Sequence, residues 1–155
     1  MIPYGRQEIL ESDIEAVIEV LHSDFITQGP MVPKFEHAVS QFCNAHYAVA
    51  VNSATSALHI ALLALGVETG DVVWTSPITF VASSNAALYC GARVDFVDID
   101  PNTNNISISA LRQKLENAHF RGDLPKVLVP VHLTGQPCDM KEIYKLAKQY
   151  NFKII

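Results

Sequence analysis

Three scarcities narrow the reading before any motif is considered. Cysteine occurs only three times in 155 residues, as Cys43, Cys90 and Cys138. The number is odd, the spacing is wide and no C-x-x-C pair occurs, so neither a disulfide framework nor a zinc site is supported. Positive charge is also sparse: 11 Lys and Arg against 16 Asp and Glu leave a net charge of −5. Without a clustered cationic face the chain is a poor candidate for binding nucleic acid or a membrane surface. Long apolar runs are missing as well. The longest, residues 57–65, is interrupted by His59 and closed by Gly66, well short of the roughly 20 residues a bilayer demands. The opening Met1-Ile2-Pro3-Tyr4-Gly5-Arg6 lacks the pattern of a secretory leader, so a reducing cytoplasm is the expected location.

The remainder is 49% hydrophobic and 17% charged, a globular composition with enough apolar residues for one sizeable core. Two amphipathic helices are expected first. In one, Ile14, Val17, Ile18 and Leu21 recur at helical spacing behind Ser12 as the expected cap, with Asp13 and Glu15 near its positive end. Gly29, Pro30 and Pro33 then break the periodicity. In the second, Phe35, Ala38, Val39 and Phe42 share a face.

From Tyr47 the pattern alternates. Strands are expected at residues 48–51, 72–75, 93–99, 126–131 and from 152 onward; helices at 56–65, 81–90, 108–117 and from 139 or 140 to 150. Gly66 and Gly91 stop two of the helices. Such alternation predicts a parallel sheet flanked by helices. The last stretch, Phe152-Lys153-Ile154-Ile155, reads as a buried strand with nothing to cover its carboxyl end. The chain is therefore expected to be a fragment of something longer.

In such sheets ligands bind beyond the carboxyl ends of the strands, where helix N-termini point free NH groups outward. The first such turn, Val51-Asn52-Ser53-Ala54-Thr55-Ser56-Ala57-Leu58, is small and hydroxylated. It suits a phosphate, although taken alone the turn at Ser53 and Thr55 is more simply an ordinary helix cap. No glycine lies between Gly29 and Gly66, which removes the G-x-G-x-x-G fingerprint of a dinucleotide site. The second turn, Thr75-Ser76-Pro77-Ile78-Thr79-Phe80, brings an aromatic ring to the same rim. That ring could stack on a flat cofactor or simply belong to the core.

Taken together these segments resemble the pyridoxal-phosphate (PLP) dependent sugar aminotransferases of the DegT family, within the aspartate-aminotransferase-like fold. The likeness runs through Ile2-Pro3-Tyr4, Phe25-Ile26-Thr27-Gln28-Gly29-Pro30, both turns above, Val97-Asp98-Ile99-Asp100 and Pro130-Val131-His132-Leu133-Thr134-Gly135-Gln136-Pro137. It implies an α/β fold: a three-layer sandwich with a mostly parallel sheet, the large domain of a fold type I PLP enzyme, truncated. Residues 1–46 would be N-terminal helices and a loop along which substrate approaches, and 47–155 an incomplete PLP-binding domain. By the same resemblance Ala54, Thr55 and Ser56 would sit at the cofactor phosphate and Phe80 on the pyridine ring. Tyr4, Asp24, Phe25, Ile26 and Thr27 would contact substrate, and residues 132–136 would border the site. The wording of residues 52–58 and 88–92 looks most like the transaminases of pseudaminic-acid synthesis. That implies a homodimer moving an amino group from glutamate to C4 of a UDP-4-keto-6-deoxy-N-acetylhexosamine.

Transamination needs a lysine amine and an acid at the pyridine nitrogen, and in the family both would fall past Ile155. No catalytic residue is therefore expected in this chain, and no metal set emerges from its histidines. Lys34, Lys114, Lys141, Lys145 and Lys148 read as solvated; Lys126 and Lys153 border the amino ends of strands. An active longer parent and a noncatalytic truncated binding module remain open. A nucleotide-binding α/β module is disfavoured by the absent glycines.

Overall fold

A computed structural model describes residues 5–155 of the chain, which divides into a first unit ending at Ala50 and a second, Val51–Ile155. The first unit holds α1 (Glu11–Leu21) and α2 (Met31–Phe42), joined by an exposed turn. Helix α1 begins one residue before the expected cap. The Leu10 amide donates to the Asp13 carboxylate at 2.9 Å, so Asp13, not Ser12, closes the helix start. A carboxylate suits the partly positive helix end better than a hydroxyl does.

The strand expected at residues 48–51 is absent. The Ala50 amide instead donates to the Glu36 carboxylate at 2.8 Å, and residues 48–51 take no part in the four-stranded sheet. A strand without a hydrogen-bonded neighbour has no ladder to hold it.

The second unit alternates as expected: α3 (Ala54–Ala64), β1 (Val72–Thr75), α4 (Ala82–Tyr89), β2 (Arg93–Phe96), α5 (Ile108–Arg121), β3 (Val127–Val129), α6 (Met140–Tyr150) and β4 (Lys153–Ile154). The four strands form one parallel sheet in the order β2-β1-β3-β4. Strand β2 is shorter than the apolar run suggested, because the chain folds back on itself: the Ser107 amide donates to Asp98 O at 2.9 Å, and Ile99 pairs with Ile106.

All four residues of β1 are buried, since both faces of this strand are covered. Val72 and Trp74 join Leu111, Leu115, Ile143 and Leu146 in one core, beneath α5 and α6. Val73 joins Leu62, Ala86, Ala87, Val127 and Val129 in the other, beneath α3 and α4. The result is three layers, helices on both sides of the sheet. Helix α4 packs alanine and serine inward, Ala82, Ser83, Ala86 and Ala87, small side chains that permit close approach to α3 and β1. Helix α3 stops where expected. Gly66 takes φ +71° and the Val67 amide returns to Leu62 O at 3.0 Å, a left-handed ending that glycine adopts without strain.

Candidate functional site

The direction of the chain decides where a ligand can sit. Helix α3 feeds the amino end of β1 and α4 leaves its carboxyl end, so both helices begin at the carboxyl edge of the sheet. At the start of α3, Ser53 is the cap: its Oγ accepts the Ser56 amide at 3.2 Å. The Ser56 hydroxyl donates to Asn52 Oδ1 at 2.7 Å and lies 3.0 Å from Ser53 Oγ. For Ser53 the cap reading therefore holds, and the Asn52–Ser53–Ser56 network keeps the turn in shape. Thr55 takes no part in that network.

The first intrahelical bond is Ala57 N–H to Ser53 O at 3.0 Å, which leaves the amides of Ala54 and Thr55 without a helical acceptor. No Asp or Glu occurs at residues 51–67 or 72–92, so neither α3 nor the β1–α4 segment places a carboxylate beside this helix start. The donor set fits a phosphate: free backbone N–H groups, the positive end of a helix and an uncommitted threonine hydroxyl.

Phe80 lies in the turn between β1 and α4 and is 76% exposed. Within this chain it is therefore not packed in either core cluster. Its ring is free to stack on a planar group. Beneath it, Thr79 and Ser83 hydroxyls meet at 2.9 Å across the start of α4. Ala54, Thr55, Ser56 and Phe80 thus share one sheet edge in the second unit. Tyr4 lies outside the described residues. Asp24, Phe25, Ile26 and Thr27 belong to the first unit, in the exposed turn between α1 and α2.

The loop after β3 leaves the same edge beside the Phe80 turn, because β1 and β3 are direct neighbours. Thr75 is paired with Val129, and the Thr75 hydroxyl donates to Val129 O at 2.9 Å. The loop is folded tightly, with Thr134 at φ 54° and Gly135 at φ 87°. Three side chains hold it. Asn105, 4% exposed, accepts the Leu133 amide at 3.0 Å and donates to Gln136 O at 2.9 Å. His132 Nδ1 accepts the Cys138 amide at 3.2 Å, and the Cys138 thiol donates to Val131 O at 3.2 Å. Burial pushes the Cys138 thiol pKa up, so it serves here as a neutral donor. Sequence reasoning missed Asn105 entirely. One asparagine in a polar turn carries no signal that its side chain is buried against a loop 28 residues away.

Several of the lysines are held in ion pairs or lie on exposed helix faces. Lys114, expected to be solvated, has a side chain only 25% exposed, 2.6 Å from the Asp95 carboxylate and 4.9 Å from the centre of the Trp74 ring. It shields the edge strand β2 and the core beneath. Lys126 stands before β3, 2.7 Å from the Asp71 carboxylate, at the edge opposite the candidate site. Lys141, Lys145 and Lys148 lie on the exposed side of α6. His59 packs edge-on against Tyr89 at 5.5 Å between ring centres, a packing role. Among the described residues no group of three or more His, Cys, Asp or Glu side chains is placed to hold a metal, and no helix is long and apolar enough to cross a membrane.

Comparison with known proteins puts this geometry in context. The family model described as "DegT/DnrJ/EryC1/StrS aminotransferase family" matches residues 7–155. The chain is 41% identical over its full length to the UDP-4-amino-4,6-dideoxy-N-acetyl-beta-L-altrosamine transaminase of Campylobacter jejuni, covering 40% of that protein. It is 39% identical over 99% of its length to the GDP-perosamine synthase of Escherichia coli O157:H7, covering 41% of it. Among solved structures, a sugar aminotransferase of Streptococcus pneumoniae in its PLP form superposes with a TM-score of 0.85 at 31% identity, over 98% of this chain and 38% of that one. The chain thus spans about two fifths of the length of the relatives it matches.

Proposed function

Because the chain belongs to the DegT/DnrJ/EryC1/StrS aminotransferase family, we propose that it is the front part of a PLP-dependent nucleotide-sugar aminotransferase. The observation that carries this reading is the shared sheet edge, where the open N-terminus of α3 and the exposed ring of Phe80 face the same rim. The amides of Ala54 and Thr55, with the Thr55 hydroxyl, hold the cofactor phosphate, and Ser56 braces the turn through Asn52. Phe80 supports the ring from one side and excludes water from that face. Bound there, PLP supplies the electron sink and the amino-group carrier that transamination requires.

The substrate we propose is a UDP-4-keto-6-deoxy-N-acetylhexosamine, aminated at C4 with glutamate as donor, in the synthesis of pseudaminic acid or a related surface polysaccharide. The Campylobacter relative's name supports the uridine nucleotide and the C4 position, while the perosamine relative keeps a guanosine nucleotide sugar as the competing substrate. Tyr4, Asp24, Phe25, Ile26 and Thr27 are proposed as substrate-contacting residues on the strength of the family resemblance. The enzyme works in the cytoplasm as a homodimer. The three cysteines are free, and Phe42 and Phe120 are 93% and 95% exposed, apolar surface of the kind assembly covers.

The 155-residue chain by itself is inactive on this reading, because its lysines are paired, exposed on helices or at the far edge of the sheet. Incubating it with PLP and reducing with borohydride should label no single lysine stoichiometrically. For the full-length protein, the test is glutamate-dependent amination of the UDP- and GDP-4-keto-6-deoxy sugars, read by mass spectrometry. A cofactor-loaded protein that aminates neither sugar would sink the proposal, and preference for the GDP sugar would overturn the substrate.

A further inference from the structure

The loop after β3 is more tightly held than an exposed connection needs to be. Exposed loops ordinarily solvate their own backbone. Here two main-chain groups, Leu133 N–H and Gln136 C=O, are bound by the two ends of one buried carboxamide, Asn105. The carboxamide comes from the turn before α5 and reaches the loop across 28 residues of sequence. Thr134 between these contacts is left-handed at φ 54°, a conformation that a threonine keeps only when its surroundings impose it.

His132, immediately before the clamped segment, is exposed, as are Thr134, Gly135, Gln136 and Pro137, and it alone among them carries an imidazole. Its Nδ1 accepts the Cys138 amide. A nitrogen that accepts an N–H bond carries no proton of its own, so the neutral imidazole holds its proton on Nε2. The backbone therefore fixes both the ring's orientation and its tautomer. A fixed N–H donor is left on a rim that also carries Phe80 one strand away, since the loops that follow β1 and β3 start from the paired residues Thr75 and Val129.

We infer that Asn105 is a positioning residue for this rim, and that the loop it clamps presents His132 Nε2–H as a hydrogen-bond donor to an oxygen of the bound sugar nucleotide. Asn105 itself never touches the ligand; it acts through the loop. The inference rests on the functional reading above and assigns a role in substrate affinity, leaving cofactor binding to α3 and Phe80.

The test uses the full-length enzyme with Asn105→Ala, Asn105→Asp, His132→Ala and the Asn105→Ala/His132→Ala double variant. KM for the UDP-4-keto sugar, kcat and PLP affinity by absorbance are measured for each. His132→Ala should raise KM about tenfold, the loss of one hydrogen bond to the ligand, with PLP affinity unchanged. Asn105→Ala should raise KM to a similar degree. The double variant should be no worse than either single one, because both remove the same donor. Asn105→Asp keeps the acceptor for Leu133 but loses the donor to Gln136, and its KM should fall between. Independent, multiplicative effects in the double variant would overturn the proposal. So would an unchanged KM in His132→Ala, whose melting temperature is compared with the parent's because His132 also accepts the Cys138 amide. A wild-type enzyme that binds PLP but aminates no sugar would instead indict the functional reading, which separates the two failures.

Discussion

At the carboxyl end of β1 two side chains stand in opposite situations: Ser76 is 1% exposed and Phe80 is 76% exposed. The Ser76 hydroxyl is buried with no hydrogen-bond partner among the described residues, and an unsatisfied buried hydroxyl costs about 1–3 kcal/mol. Ser76→Ala should therefore stabilise this chain by about 1 kcal/mol, read as a rise in the urea midpoint at unchanged m-value. A loss of stability would mean that the hydroxyl has a partner after all. Phe80, already in solvent, contributes little to folding. In the full-length protein Phe80→Ala should leave the melting temperature within a degree or two but weaken PLP binding about tenfold by absorbance titration, since ring stacking is worth about 0.5–1.5 kcal/mol beyond area. Both residues were visible in the sequence as part of one turn. What the sequence could not separate was which of them points in, because a turn has no periodicity to read.

At the scale of elements, the junctions decide stability. Gly91, two residues past the end of α4, has φ +75°, and a Cβ added there would lie 2.5 Å from Thr69 Oγ1. Gly91→Ala should cost about 1–2 kcal/mol from the left-handed backbone alone, measured by chemical denaturation. A neutral effect would refute this account of the turn. The amino ends of β1 and β3 are tied by Asp71 and Lys126. The hydrogen bond from Lys126 holds the Asp71 carboxyl below its usual range, against the opposing pull of partial burial, and the Glu68 amide adds to it. Since the folded-state pKa is the lower one, the pair stabilises the fold above about pH 4, and that contribution disappears as pH falls through the folded value. Both side chains are partly exposed, so the effect should be no more than about 1 kcal/mol. Asp71→Asn should be less stable than the parent at pH 7 and indistinguishable from it near pH 2; an equal gap at both pH values would exclude this pair as the cause. The helix stops were legible because glycine marks them. The Lys126 pairing was not, because its partner lies 55 residues away.

At the scale of the whole molecule, much apolar surface is uncovered. Ile14, Val17, Ile18 and Leu21 on α1 are all at least 43% exposed, and Phe35 on α2 is 60% exposed. Faces so patterned in a helix are built to be buried. This chain alone should bind an apolar dye such as ANS and show concentration-dependent light scattering, whereas the full-length protein should do neither at matched concentration. A dye-silent, monodisperse 155-residue chain would contradict that expectation.

The sequence by itself determined the parallel α/β alternation, the helix stops and the hydroxyl-rich turn at an anion-ready helix start. All of these are local: periodicity, cap chemistry and glycine act within a turn or two of chain. Tertiary structure alone decided that residues 48–51 form no strand, that Lys114 is half-buried over Trp74, and that Asn105 clamps the loop beside the candidate site. Each of those outcomes depends on what another part of the chain places alongside, and a buried hydrogen bond between distant residues leaves no periodic trace in the order of amino acids.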